Sequence, residues 1–305
     1  MSDRRNFIKN ASLTGMGLSL GHGSVFSQNN LDLIEPYRMK FASHIGMFKH
    51  HAGDDPVAEI HFMAKHGITA LEDNMMGIRP IAEQEAMAKA MQDQEMTMGV
   101  FVAHKIYWKE PNLASGKQEW RDEFLDFIRK SIPVARRVNA KWITVVPGHL
   151  DLSKDIGYQT QNVIDTLRLA ADILEPEEIV MVLEPLNFRD HPGLFLTKAA
   201  QAYQICKAVA SPSCKILFDI YHQQIQEGNL IPNIEACWDE IAYFQIGDNP
   251  GRNEPTTGEI NYSNVFKYIH EKGFRGVLGM EHGNSKAGKE GELAVLAAYR
   301  AVDVE

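Results

Sequence analysis

From about Met39 onward, short apolar runs alternate with longer stretches of helical period, the pattern of repeated βα units around a parallel sheet. Eight runs read as strands: Met39–Ser43, Ile68–Glu72, Thr97–Ala103, Trp142–Pro147, Ile179–Glu184, Lys215–Asp219, Ala242–Ile246 and Val277–Glu281. The amphipathic stretches Pro56–His66, Ala82–Gln94, Glu119–Val138, Ile156–Leu174, Thr197–Ala210, Ile234–Glu240, Ser263–Glu271 and Glu292–Ala301 predict helices covering the sheet. Gly67, Gly273 and the Asn139-Ala140 pair stand where a helix must stop and turn, positions that favour residues accepting positive φ. Ile179–Leu183 is apolar without alternation, as a parallel strand buried on both faces requires. An open doubly wound sheet shares these features, but no Gly-x-Gly-x-x-Gly follows the first run; that loop carries His44, His50 and His51 instead. Eight runs with no linker between them predict an α/β fold, a (β/α)8 TIM barrel, as a single domain over 39–305.

A parallel barrel carries its active site at the carboxyl ends of its strands, so the polar residues ending each apolar run are the candidates. The last four runs end in Glu184, Asp219, Gln245 and Glu281, which converge on one mouth. Three carboxylates and an amide oxygen repel one another there unless protons or a cation intervene, because like charges in a low dielectric raise each other's pKa. A divalent cation resolves the conflict, and an all-oxygen set suits Mg or Mn better than a thiolate-bound zinc. His222, three residues after Asp219, reaches the same mouth as a substrate hydrogen-bond donor or a further ligand. Taken singly, each of these residues also reads as a strand-end group bonded to a neighbouring loop; four on consecutive strands favour a shared site. The loops add His149, Arg189 and Arg252. Arg252 is the candidate for holding a carboxylate or sugar oxygen through its donor fork. The alternative is a surface arginine paired with Asp248 or Glu254. Glu72 closes the second run, and Lys105 and Trp108 follow the third; for these, structural and substrate-shaping roles stand equal.

Composition narrows the partners. The 305 residues are 44% hydrophobic and 23% charged, a balance that excludes disorder, collagen and a multispan membrane protein. With 40 acidic against 31 basic residues and no basic run, the chain lacks the footprint of nucleic-acid binding, and a small molecule is the expected partner. Cys206, Cys214 and Cys237 are odd in number and lack Cys-x-x-Cys spacing, which reads as buried structural thiols. Residues 1–30 read as an address: Arg4-Arg5 precede Phe7-Ile8-Lys9 and a Gly/Ser-diluted apolar stretch from Ala11 to Leu20. This resembles a twin-arginine export signal, cut near Ser27, and predicts a periplasmic protein. The stretch is too short and interrupted to span about 30 Å of hydrocarbon, so no membrane span is expected in the mature chain. The alternative is a basic amphipathic N-terminus on a cytoplasmic protein.

Three segments carry a resemblance to a known family. They are Leu183-Glu184-Pro185-Leu186-Asn187 with Arg189-Asp190 and Pro192-Gly193; Phe218-Asp219-Ile220-Tyr221-His222; and Gln245 through Pro255 followed by Gly258-Glu259-Ile260-Asn261-Tyr262. The second half of the chain, roughly Ile179 to Gly283, resembles the hydroxypyruvate isomerase family within the xylose isomerase-like barrels of sugar isomerases and epimerases. The resemblance implies that Glu184, Asp219, Gln245 and Glu281 hold the metal, that Glu184 and Glu281 double as the acid/base pair, and that His222 and Arg252 contact substrate. His149 and Glu72 are carried as further substrate-binding candidates. One departure is His282-Gly283-Asn284-Ser285, where the family usually continues with an aromatic and a basic residue. The implied reaction is isomerisation of a hydroxy-ketone to a hydroxy-aldehyde through an enediolate, hydroxypyruvate to tartronate semialdehyde or a related sugar. Ketose 3-epimerisation needs the same residues, with bases on opposite faces. An exported sugar-binding protein and a glycoside-cleaving barrel are the readings from other classes; a homo-oligomer is left open. DNA cleavage on the same fold calls for several histidine ligands and a basic face, and neither is evident.

Overall fold

The computed structural model describes residues 34–304, so the export address at 1–30 lies outside the described residues. Among the described residues are nine short strands: β1 (Lys40–His44), β2 (Ala70–Glu72), β3 (Thr97–Met98), β4 (Val100–Val102), β5 (Trp142–Val145), β6 (Val180–Leu183), β7 (Cys214–Asp219), β8 (Ile241–Gln245) and β9 (Val277–Met280). All pair in parallel, in the order β3-β2-β1-β9-β8-β7-β6-β5-β4. The two ends of that order are consecutive in the chain with only Gly99 between them, so the sheet closes on itself and the nine segments fill eight barrel positions. The single run expected over Thr97–Ala103 is thus broken at Gly99. There the backbone N–H donates to Leu71 O at 2.6 Å, and the Tyr243 hydroxyl comes so near that a Cβ would not fit.

Ten helices among the described residues surround the barrel: α1 (Lys49–Ala52), α2 (Pro56–Lys65), α3 (Ile81–Asp93), α4 (Gln118–Val138), α5 (Ile156–Leu174), α6 (Ala199–Val209), α7 (Ile220–Gln226), α8 (Leu230–Ala236), α9 (Tyr262–Glu271) and α10 (Gly288–Val302). Local chemistry sets many of their ends. Asp55 caps α2 with Pro56 at the first helical position, and Asp155 caps α5. Asn139 ends α4 in the left-handed region, and Gly67 and Gly273 take positive φ as expected. The helix expected over Ile234–Glu240 is displaced: α8 ends at Ala236, and Trp238–Glu240 is a separate 3-10 turn. Helix α7 was not foreseen, because seven residues are too few to display a helical period.

Strand periodicity sorts the core into layers. Ala42, Ala70, Val100, Val182, Leu217, Tyr243 and Val277 form one buried tier inside the barrel. Their sequence neighbours Phe41, Leu71, Phe101, Met181, Phe218, Phe244 and Leu278 face the helices in the main core. Two residues beyond the inner tier, on the same strand face, come Glu72, Glu184, Asp219, Gln245 and Gly279. The interior therefore turns from apolar to polar within one strand step. Gly279 is small for a reason: a Cβ there would overlap the Glu72 carboxylate. Gly279→Ala is expected to destabilise the fold by about 2 kcal/mol through overpacking, read from denaturant unfolding. An unchanged midpoint would contradict this packing.

Cys206, Cys214 and Cys237 are free and buried, as expected. A hydrogen bond to Cys214 and burial both push the Cys206 thiol up, and burial raises that of Cys237 to about 12. No described helix is long and apolar enough to cross a membrane.

Candidate active site

Strand ends place the four expected residues. Glu184 follows β6, Asp219 ends β7, Gln245 ends β8 and Glu281 follows β9. Ligand atoms of Glu184, Asp219, His222 and Glu281 all lie within 4.8 Å of one another. Asp219 serves twice: its Oδ1 accepts from the His222 N–H at 3.1 Å, capping α7, and this fixes His222 on the first helical turn beside the carboxylates. His222 Nε2 stands 3.5 Å from Asp219 Oδ2 and 3.9 Å from Glu184 Oε1.

Asn187 determines which nitrogen of that ring carries the proton. Its Oδ1 accepts from the N–H groups of Arg189 and Asp190, which fixes the amide's orientation. Nδ2 then donates to Asp190 Oδ2 at 3.0 Å and to His222 Nδ1 at 2.6 Å. With Nδ1 accepting, the imidazole proton sits on Nε2 and faces the carboxylates. Burial, with Arg252 nearby, lowers the His222 pKa to about 3, so the ring is neutral.

Gln245 belongs to the same tier. Its Nε2 donates to Glu72 Oε1 at 2.7 Å, which leaves Oε1 buried with no partner. An orphaned buried acceptor is costly, and beside three carboxylates its natural partner is a cation. The donor set therefore fits a divalent metal, with Glu184, Asp219, Gln245 and Glu281 as oxygen ligands and His222 at the edge. Glu72 shares this tier, fully buried, with its other oxygen accepting from Tyr243 OH at 2.8 Å. Its hydrogen bond orients the Gln245 amide.

The electrostatics follow from burial. Desolvation, followed by the charge on Glu281, pushes Glu184 and Glu72 well above the usual carboxylate range. Asp219 is raised by burial too, against the opposing pull of Arg252. Arg252 Nη2 donates to Glu281 Oε2 at 2.7 Å and to Asp219 Oδ2 at 3.3 Å, and the guanidinium lies over the Tyr221 ring. Burial works against the Arg252 charge, but Glu281, Asp219 and Glu184 outweigh it and raise its pKa. The alternative partners Asp248 and Glu254 are used elsewhere. Asp248 accepts from the N–H groups of Asn249, Gly258 and Ile260, and Glu254 accepts from Ser285. Together they shape the loop that carries Arg252.

The other candidates lie farther out. His149, after β5, bonds Leu150 O through Nδ1, and its ring packs against Gly193. Lys105 covers the Tyr107 ring, and Arg189 lies over Phe188. Trp108 stacks on His191 at 4.9 Å, and His191 in turn lies 5.5 Å from His222, so Trp108 walls the mouth. The sequence reading missed Asn74, whose Nδ2 donates to Glu281 Oε1 at 2.9 Å, and Tyr243 beneath Glu72. Both carried a signal: Asn74 stands two residues past a strand-ending glutamate, and Tyr243 shares the inward parity of Gln245.

Known proteins resemble this chain in sequence and in fold. Hydroxypyruvate isomerase of Escherichia coli K12 is 37% identical over 161 residues, 53% of this chain and 62% of that protein. The 2-oxo-tetronate isomerase of Cupriavidus necator is 30% identical over 177 residues, 58% of this chain and 68% of that one. The match thus spans less than two thirds of the length of the E. coli relative. Among solved structures, an AP endonuclease of family 2 from Brucella melitensis superposes with a TM-score of 0.72 at 25% identity, covering 86% of this chain and 99% of that one. The 3-keto-D-glucoside 4-epimerase of E. coli reaches the same TM-score at 17% identity, over 87% of this chain and 100% of its own, a likeness of fold. Residues 60–300, a span that takes in β2 to β9 and every strand-end candidate, match the family described as xylose isomerase-like TIM barrel, and the chain belongs to that family.

Proposed function

We propose that the protein is a metal-dependent isomerase that moves a proton between the adjacent carbons of a small hydroxy-ketone, with hydroxypyruvate as the first substrate to test. One observation carries the reading: Glu184, Asp219 and Glu281 converge within 4.8 Å, beside the orphaned Oε1 of Gln245. The names of the relatives, hydroxypyruvate isomerase and 2-oxo-tetronate isomerase, support it. A divalent cation held by these four residues would polarise neighbouring carbonyl and hydroxyl oxygens.

The chain's own groups do the rest. Glu184 takes the proton from the carbon bearing the hydroxyl, and the electron pair passes into the carbonyl to give an enediolate of the substrate. Glu281, held by Asn74, returns a proton to the former carbonyl carbon, while the hydroxyl gives its own proton to the former carbonyl oxygen and becomes the new carbonyl. The step is redox-neutral overall and needs no second reactant. The Nε2–H of His222 donates to a substrate oxygen, and Arg252 offers its fork to a carboxylate.

Proton NMR of the metal-loaded protein in deuterium oxide, with hydroxypyruvate and a panel of ketoses, tests the reading. Metal-dependent deuterium incorporation beside the carbonyl is the expected result. An aldehyde product then marks isomerisation and a new ketose marks 3-epimerisation. No exchange with any of them would sink the proposal.

The proposal extends to where the protein works, on the Arg4-Arg5 pair. Substituting both with lysine is expected to hold the protein in the cytoplasm, read by cell fractionation. Undiminished export of that variant would remove the twin-arginine assignment.

A further inference from the structure

A cavity of about 510 Å3 opens beside the carboxylate cluster, between the outward face of β4, the turn after β2 and helix α4. Phe101, Ala103, Val134, Ile78, Phe127 and Trp108 are among its lining residues. Two of its lining residues also touch the site. Asn74 donates to Glu281, and Trp108 stacks on the His191 ring beside His222. Asn74 Oδ1 is buried and has no partner, so an unused acceptor stands where cavity and site meet.

A three-carbon keto acid would sit among the carboxylates and leave this space unfilled. Its volume is that of a site for a larger organic ligand, and its lining is mostly apolar, with Lys105 and Lys130 among the exceptions. Ile78 is 76% exposed and Trp108 46%, so large apolar side chains at the rim stand in water until something covers them.

We propose that the cavity takes an apolar, ring-sized substituent of the substrate, so that the preferred substrate is a hydroxy-ketone joined to an aromatic or alicyclic group. This rests on the enolising chemistry proposed for the neighbouring carboxylates. The polar end reacts at Glu184 and Glu281, and the ring enters the cavity past Trp108 towards Ala103 and Val134. Covering apolar surface at roughly 25 cal/mol per Å2 makes tenfold discrimination attainable with a single ring.

The test compares hydroxyacetone with its benzyl-substituted homologue on the metal-loaded protein, reading deuterium exchange at the hydroxymethyl carbon. The benzyl compound is expected to show at least tenfold higher kcat/KM. That ratio is expected to collapse towards one in Ala103→Phe, which fills the cavity, and to fall in Ile78→Arg, which changes only an exposed rim position. Using the ratio cancels any general loss of active protein. No preference in the wild type, or a preference that survives both variants, would overturn the proposal. If neither ketone exchanges, hydroxypyruvate decides the enolisation reading, which falls if it too fails to exchange, and calorimetric titration with the benzyl compound decides the cavity alone. Binding lost in Ala103→Phe supports the cavity, and absence of binding overturns it.

Discussion

Glu184→Gln is expected to cut turnover by about a thousandfold while making the metal-free protein more stable at neutral pH. Both effects have one source. Glu184 is buried beside Glu281 and Asp219, and burial first, then Glu281, pushes its pKa well above the ordinary value. A carboxyl group whose folded pKa lies above its unfolded one holds its proton more tightly in the folded state, so the fold loses stability as pH rises through that window. The wild-type protein in chelator should therefore grow more stable as pH falls from neutrality towards the ordinary carboxylate range. The glutamine variant, already neutral, should show a flatter profile and a higher melting temperature at pH 7. Deuterium exchange and thermal unfolding in chelator measure the two halves. Turnover within threefold of wild type would refute the catalytic assignment; lost turnover with lowered stability would make Glu184 a residue of the fold alone.

The part of this site that follows strand parity was legible in the sequence. Glu184, Asp219, Gln245 and Glu281 each end an apolar run, and a parallel barrel must bring such ends together. What was not legible depends on chain segments folding back in space. Arg252 has Asp248 and Glu254 as neighbours in sequence, yet its guanidinium turns to Asp219 and Glu281 because backbone N–H groups and Ser285 occupy those nearer carboxylates. Helix α7 exists because Asp219 caps it, and one capping contact leaves no period to read. The break at Gly99 depends on a hydroxyl from β8, far along the chain. That Tyr243 and Gln245 take both oxygens of Glu72 likewise depends on strands far apart in the chain.

The second large effect is expected from Arg252→Ala, and its signs are mixed. Arg252 is the cation set against Asp219 and Glu281, with 31% of its side chain exposed. Removing it should destabilise the metal-free protein by about 1–3 kcal/mol, less than a fully buried pair because water screens part of the charge. The vacated carboxylates should then bind a divalent cation about tenfold more tightly, since a competing positive charge has gone. For a keto-acid substrate KM should rise about a hundredfold as the charge-assisted fork is lost, whereas a neutral ketose should suffer far less. Calorimetric titration with Mn, thermal unfolding and the two substrates side by side provide the readouts. Metal affinity equal to wild type would mean that Arg252 does not compete with the cation.

Cys206, Cys214 and Cys237 stay unpaired only while the barrel keeps them covered. In an oxidising medium, unfolding would release three thiols into random pairing and so become a one-way event. The working lifetime outside a reducing environment would then be set by how rarely the barrel opens rather than by how readily it refolds. Crossing a membrane already folded, with the thiols sealed, would avoid that hazard.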